Sequence, residues 1–142
     1  MMTSGKKRYF AYGSNMLATQ ARRRVPAAKA VGTAILAGWR VVERLTADIE
    51  RAEGCRTYGV LFELREEDLA TMDRFEGAPK VYRRKTVRVN FKGRLVRAVT
   101  YVMTKATVAK RGGKPYKEDY RKRCSDGART HRIPDAFGKE QE

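Results

Sequence analysis

Three groups of residues have types and spacings suited to chemistry. The first is Tyr9-Phe10-Ala11-Tyr12-Gly13-Ser14-Asn15-Met16. A short aromatic strand here runs into Gly-Ser-Asn, and a helix follows directly. Glycine permits a sharp turn and close approach of a ligand to the backbone. The N–H groups near a helix start bind carboxylate or phosphate. The same residues also read as an ordinary strand and turn with a capping asparagine. The second group is Met72-Asp73-Arg74-Phe75-Glu76-Gly77, followed by Val81-Tyr82-Arg83-Arg84. Glu76 falls on the last turn of a predicted helix. The negative end of the helix dipole and nearby Asp73 both disfavour its anion. A carboxylate so placed suits general acid–base work near neutral pH. It also reads as a surface glutamate before a helix-ending glycine. The third group is Tyr82, Tyr101 and Tyr116, which can line a pocket and donate hydrogen bonds, or pack as core aromatics.

Other reactive residue types point to no site. Cys55 and Cys124 are far apart and form no CxxC, and with one histidine there is no zinc constellation. Free thiols are expected. Ser14 reads as a loop residue, with no histidine beside it in sequence. His131 belongs to a surface helix end. Arg22-Arg23-Arg24 read as a solvated helix face, with phosphate or partner contact as the alternative.

The elements that must position these residues follow from periodicity. Strands are predicted over 8–12, 29–36, 40–44 and 57–64. Gly38 separates the second from the third, and 45–54 reads as a polar, acidic loop. The clearest helix is 66–75: acids fill its first turn, Leu69, Met72 and Phe75 keep helical spacing, and Gly77 stops it. A shorter helix is predicted over 17–24. Arg65 stands where a Ser or Thr cap would suit the central helix better. Residues 81–91 and 95–103 form a hairpin about Lys92-Gly93. Residues 105–114 read as a basic, glycine-containing loop, and Pro115 opens a last helix over 117–130. This order implies one α+β domain over 1–142, with a mostly antiparallel or mixed sheet curled into a small barrel. It is ordered over about 8–137, with a flexible basic N-terminus and C-terminal tail.

Charge is the compositional oddity. Thirty-two Lys and Arg oppose sixteen Asp and Glu, for a net charge of +16. The acids concentrate between Glu43 and Glu76. Such a field favours anionic partners, among them nonspecific polyanion binding through a basic surface. Polyanion binding is thus an alternative function on the same fold, although the regular aromatic interleaving of a single-strand binder is missing. No apolar run is long enough to span a bilayer, and no signal-peptide stretch follows the first basic residues. A cytoplasmic protein without membrane attachment is expected.

Taken in order, the motifs resemble the γ-glutamylcyclotransferase-like (AIG2-like) family. Its signature is an aromatic strand into Tyr-Gly-Ser-Asn, here Tyr12 to Asn15. A helix ending Asp-x-x-Glu-Gly follows, here Asp73 to Gly77, then Tyr-Arg-Arg at Tyr82 to Arg84. Thr100-Tyr101-Val102, Pro115-Tyr116, Gly127-Ala128 and Ile133-Pro134 complete the series. The resemblance spans about 8–137. It implies a small mixed β-barrel with flanking helices and one pocket. It also implies cyclisation of a γ-glutamyl group to 5-oxoproline with release of an amine or amino acid, without metal or organic cofactor. The small-molecule γ-glutamyl substrate would be held by Tyr12, Gly13, Ser14 and Asn15, chiefly through backbone N–H groups. Glu76 would be the catalytic acid–base, and Tyr82, Tyr101 and Tyr116 would be pocket tyrosines. A dedicated enzyme that removes a γ-glutamyl cap from a biosynthetic intermediate is a further alternative. The basic 105–114 segment, unusual near such a pocket, would select the charge of the leaving group.

Overall fold

Five strands form in the computed structural model, which describes residues 6–138. They are β1 (Lys6–Ala11), β2 (Lys29–Arg44), β3 (Thr46–Arg65), β4 (Tyr82–Phe91) and β5 (Arg94–Met103). The strands close into a barrel in the order β1-β3-β2-β4-β5. Neighbours are antiparallel except at the closure, where β1 runs parallel to β5 with Tyr9 opposite Val99. Closure removes the free edges that an open sheet would expose. Phe10, Val60, Leu61 and Val89 are sealed inside. Around the barrel lie α1 (Ala18–Arg24), α2 (Glu66–Glu76), α3 (Lys105–Arg111) and α4 (Glu118–Thr130). The fold is thus the expected α+β type, a small mixed β-barrel with flanking helices. Lys6 and Lys7, expected in a flexible start, are already part of β1. The remainder of that start and the tail from 139 lie outside the described residues. Among the described residues no helix is long and apolar enough to cross a membrane.

Two segments that read as loops are regular elements. The acidic stretch 45–54 is strand: only Leu45 turns, with φ 64°, and Thr46 to Arg51 pair back onto Arg44 to Trp39. Asp48 and Glu50 are ion-pair partners rather than loop polarity. Arg40 and Arg44 both bind Glu50, and Arg44 meets Asp48 at 2.6 Å. Ala47 and Ile49 meanwhile point inward. The predicted break at Gly38 is a bulge within one continuous β2. The basic segment 105–114 mostly forms α3. Thr104 caps it by accepting the Thr107 N–H at 3.3 Å, and Lys110 and Arg111 complement its C-terminal end.

Helix α2 runs one residue past its predicted end. Arg65 has no oxygen to cap with, and Asp68 instead accepts the Arg65 N–H at 3.1 Å. Gly77 ends the helix with φ 66°, a left-handed conformation that glycine adopts without a Cβ clash. Leu69 and Met72 are buried, whereas Phe75, expected on the same face, is 52% exposed. The last turn is tied to the barrel through Asp73. Arg84 binds it with Nε at 2.9 Å and Nη2 at 2.8 Å, and the Tyr101 hydroxyl donates to it at 2.6 Å. On the other side of the barrel mouth, α4 presses against the Ser14–Met16 turn. A Cβ on Gly127 would lie 2.8 Å from the Leu17 nitrogen and 2.9 Å from the Met16 Cβ.

Two stability outcomes follow from these contacts. Gly127→Ala is expected to lower unfolding free energy by about 1–3 kcal/mol in urea titrations, because backbone must move to admit the methyl group. Burial pushes the Asp73 pKa up, but the hydrogen bonds from Arg84 and Tyr101 outweigh it and hold the group below the ordinary carboxylate range. Its stabilisation is therefore complete above the ordinary carboxylate pKa and is lost as pH falls through the depressed folded value. Asp73→Asn should cost about 1–2 kcal/mol at pH 7, allowing for screening at the partly exposed Arg84. The gap from wild type should shrink on acidification, and a gap of constant size would rule out an ionic origin.

Candidate functional site

The chain leaves β1 through Tyr12 and Gly13, makes a single 3-10 turn at Ser14–Met16, and enters α1. This loop meets the C-terminal end of α2, the start of β4, the end of β5 and the tip of the β2–β3 hairpin. Together they enclose a cavity of about 40 Å3. Tyr12, Gly13, Ser14, Asn15, Glu76, Tyr82 and Tyr101 all line it. Of the catalytic and substrate-holding residues that the resemblance implies, Tyr116 alone does not. It packs on Tyr120 and Phe137, with ring centroids 5.6 Å away in each case, and its N–H donates to Glu43 at 2.7 Å. Tyr120 takes a place on the wall instead, together with Tyr9, Ala47 and Thr100. A readable signal for Tyr120 exists. Tyr120, Cys124 and Ala128 recur every fourth residue, which puts them on one face of α4, and Cys124 and Ala128 are buried. Ala47 carries no such signal, because its segment reads as loop.

Hydrogen bonds tie the wall residues together in separate sets. Tyr12 donates to the Tyr101 carbonyl at 2.6 Å, and the Asn15 amide donates to the Tyr9 hydroxyl at 2.9 Å. Tyr82 donates to the Ala47 carbonyl at 2.7 Å, while the Ala47 N–H donates to the Tyr120 hydroxyl at 3.0 Å. Asn15 Oδ1 is buried without a partner among the described residues. Burial pushes the phenols of Tyr9, Tyr12, Tyr82, Tyr101 and Tyr120 upward, so all are neutral at physiological pH.

Among the described residues Glu76 is the one carboxylate on this wall. Its side chain is 14% exposed, and Arg24 Nη1 lies 3.1 Å from its Oε2. Burial is the main force raising its pKa. Arg24 pulls in the opposite direction and Asp73 adds a smaller push upward, leaving the group above the ordinary range. The direction agrees with the sequence reading, although burial dominates. Arg24 itself departs from that reading. Arg22 and Arg23 are solvated, but Arg24 turns inward over the Phe75 ring, 5.3 Å from its centroid.

Beyond Glu76 the cavity continues into an outer cleft of about 320 Å3. The two share Ser14, Glu76, Tyr82 and Tyr120 as common wall, and the cleft adds Arg24, Arg74, Phe75 and Arg111. Arg111, from α3, donates to Thr46 Oγ1 at 3.0 Å. His131 lies at the end of α4, its Nε2 3.0 Å from the Met16 carbonyl, and lines neither space. Both cysteines are free, Cys55 exposed and Cys124 buried. No cluster of three or more His, Cys, Asp or Glu that could hold a metal ion occurs among the described residues.

Solved structures share this architecture. An uncharacterized protein from Homo sapiens superposes with a TM-score of 0.78 at 24% identity, over 91% of this chain and 82% of that one. A gamma-glutamyl cyclotransferase gives 0.75 at 22% identity, over 97% and 95%. An AIG2-like protein from Mus musculus gives 0.61 at 21% identity, over 80% and 86%. Identities this low speak for the fold. No curated protein matches the chain by sequence. A family model described as gamma-glutamyl cyclotransferase, AIG2-like, matches residues 9–122 and so takes in the Tyr12–Asn15 loop, Glu76 and Tyr120. The chain belongs to the gamma-glutamyl cyclotransferase, AIG2-like family.

Proposed function

We propose that the protein cyclises a γ-glutamyl group to 5-oxoproline and releases the attached amine or amino acid, with Glu76 as general acid–base. The observation that carries this reading is the isolation of Glu76. It is a single buried carboxylate of raised pKa on a wall whose other polar groups are neutral. The substrate's α-amine attacks its own γ-carbonyl carbon, forming the ring C–N bond, and the original amide C–N bond then breaks. Glu76 takes the proton lost by the attacking amine and delivers it to the departing nitrogen. Because the reaction is intramolecular, folding the substrate into its attack geometry supplies much of the rate.

The wall supports the remaining roles in this reading. The Tyr12–Asn15 loop holds the glutamyl end, chiefly through backbone N–H groups. Tyr82, whose hydroxyl is engaged with Ala47 and Thr46, shapes the pocket. Tyr101 shapes it likewise, its hydroxyl engaged with Asp73. The Tyr9 hydroxyl accepts from Asn15 and donates to no group among the described residues. Its proton is available to the oxyanion of the tetrahedral intermediate. The leaving amine occupies the outer cleft.

Glu76→Gln should lower kcat/KM for 5-oxoproline release about 10²- to 10⁴-fold with an unchanged thermal melt. Wild-type turnover in that variant would remove Glu76 from the mechanism. The acid limb of the kcat/KM profile should reflect Glu76, which must be ionised to accept a proton. Arg24 favours the anion. Arg24→Gln should therefore move that limb to higher pH, and a stationary or lowered limb would assign it to another group.

A further inference from the structure

We infer that the outer cleft selects a leaving amine that carries additional negative charge, such as an acidic amino acid, over a neutral or cationic one. This rests on the cyclotransferase reading, because the cleft receives the leaving amine only if the inner cavity takes the glutamyl end. Three arginines from three different helices reach the cleft: Arg24 from α1, Arg74 from α2 and Arg111 from α3. Against them stands one carboxylate, Glu76, and Arg24 already pairs with it. Arg74 and Arg111 form no ion pair among the described residues. Their guanidinium groups donate instead to neutral hydroxyls, Arg74 to Thr71 Oγ1 at 3.4 Å and Arg111 to Thr46 Oγ1 at 3.0 Å.

The arrangement leaves two guanidinium forks with donors to spare beside the bond to be broken. A guanidinium pairs well with a carboxylate through parallel N–H···O bonds, and partial enclosure by the cleft walls strengthens such pairing relative to open solvent. A cationic leaving group would meet two like charges in the same space. Arg111 also marks how the fold brings the basic segment to the site. Thr104 caps α3, and Arg111 at its last turn reaches the hairpin tip through Thr46.

The test compares γ-glutamyl-glutamate, γ-glutamyl-alanine and α-linked γ-glutamyl-lysine as substrates of the full-length protein, with 5-oxoproline as readout. The expected order of kcat/KM is glutamate, then alanine, then lysine, with glutamate ahead of lysine by on the order of tenfold at low salt. The ratio should narrow as salt is raised. It should fall toward unity in an Arg74→Gln/Arg111→Gln double variant. Equal rates for the three substrates, or a preference for lysine, would overturn this inference and leave the cyclisation reading standing. No 5-oxoproline from any of the three would overturn the cyclisation reading, and this inference with it.

Discussion

The site depends on where the last turn of α2 is held, and one carboxylate holds it. Asp73 receives a two-pronged hydrogen bond from Arg84 on β4 and a hydroxyl donation from Tyr101 on β5. These strands form the hairpin that closes the barrel against β1 and β2. Helix and barrel are therefore locked at the point where the helix ends. Glu76 follows three residues later, and Gly77 then turns the chain away. Without this tie, the buried Glu76 would favour a position in solvent, since desolvation of its anion opposes its place on the cavity wall. Ionic contacts outside the cavity thus fix an acid inside it.

The chain is strongly basic, yet its acids gather where structure uses them. Glu50 and Asp48 brace the β2–β3 hairpin through Arg40 and Arg44, and Asp48 also accepts the Met103 N–H at 3.0 Å. The hairpin tip is thereby bent onto the end of β5, and Ala47 becomes part of the cavity wall. The cavity then has neutral phenols and amides around a single acid. Cations collect one layer further out, in the cleft. Inner and outer spaces differ in electrostatic character while sharing the Glu76 wall.

Much of the site is legible in sequence because its residues sit at element ends that sequence marks clearly. Gly13-Ser14-Asn15 ends an aromatic strand, and Glu76 precedes a helix-stopping glycine. Tyr82 and Tyr101 stand together at the open end of a hairpin whose turn is plain at Lys92-Gly93. The sequence reading puts Tyr116 on the pocket and does not single out Tyr120. Tyr116 precedes α4 and packs sideways on Phe137, whereas Tyr120 is within the helix and faces the cavity. Only the seating of α4, which Gly127 allows to approach the Ser14–Met16 turn, decides between them.

The strands of the hairpin and the central helix were determined by the sequence alone, because alternation, acidic first turns and stop glycines act locally, and the motifs taken in order pointed to the family. Pairings between distant segments were decided only by the tertiary structure. Local polarity made 45–54 and 105–114 look like loops. Cross-strand ion pairs make the first a strand, and a threonine cap with a basic last turn makes the second a helix. Arg24 shares its local surroundings with Arg22 and Arg23, and nothing in the triplet distinguishes it. Its partner is fifty-two residues away, and only the packing of α1 beside α2 turns a solvated-looking arginine into the counter-ion of Glu76.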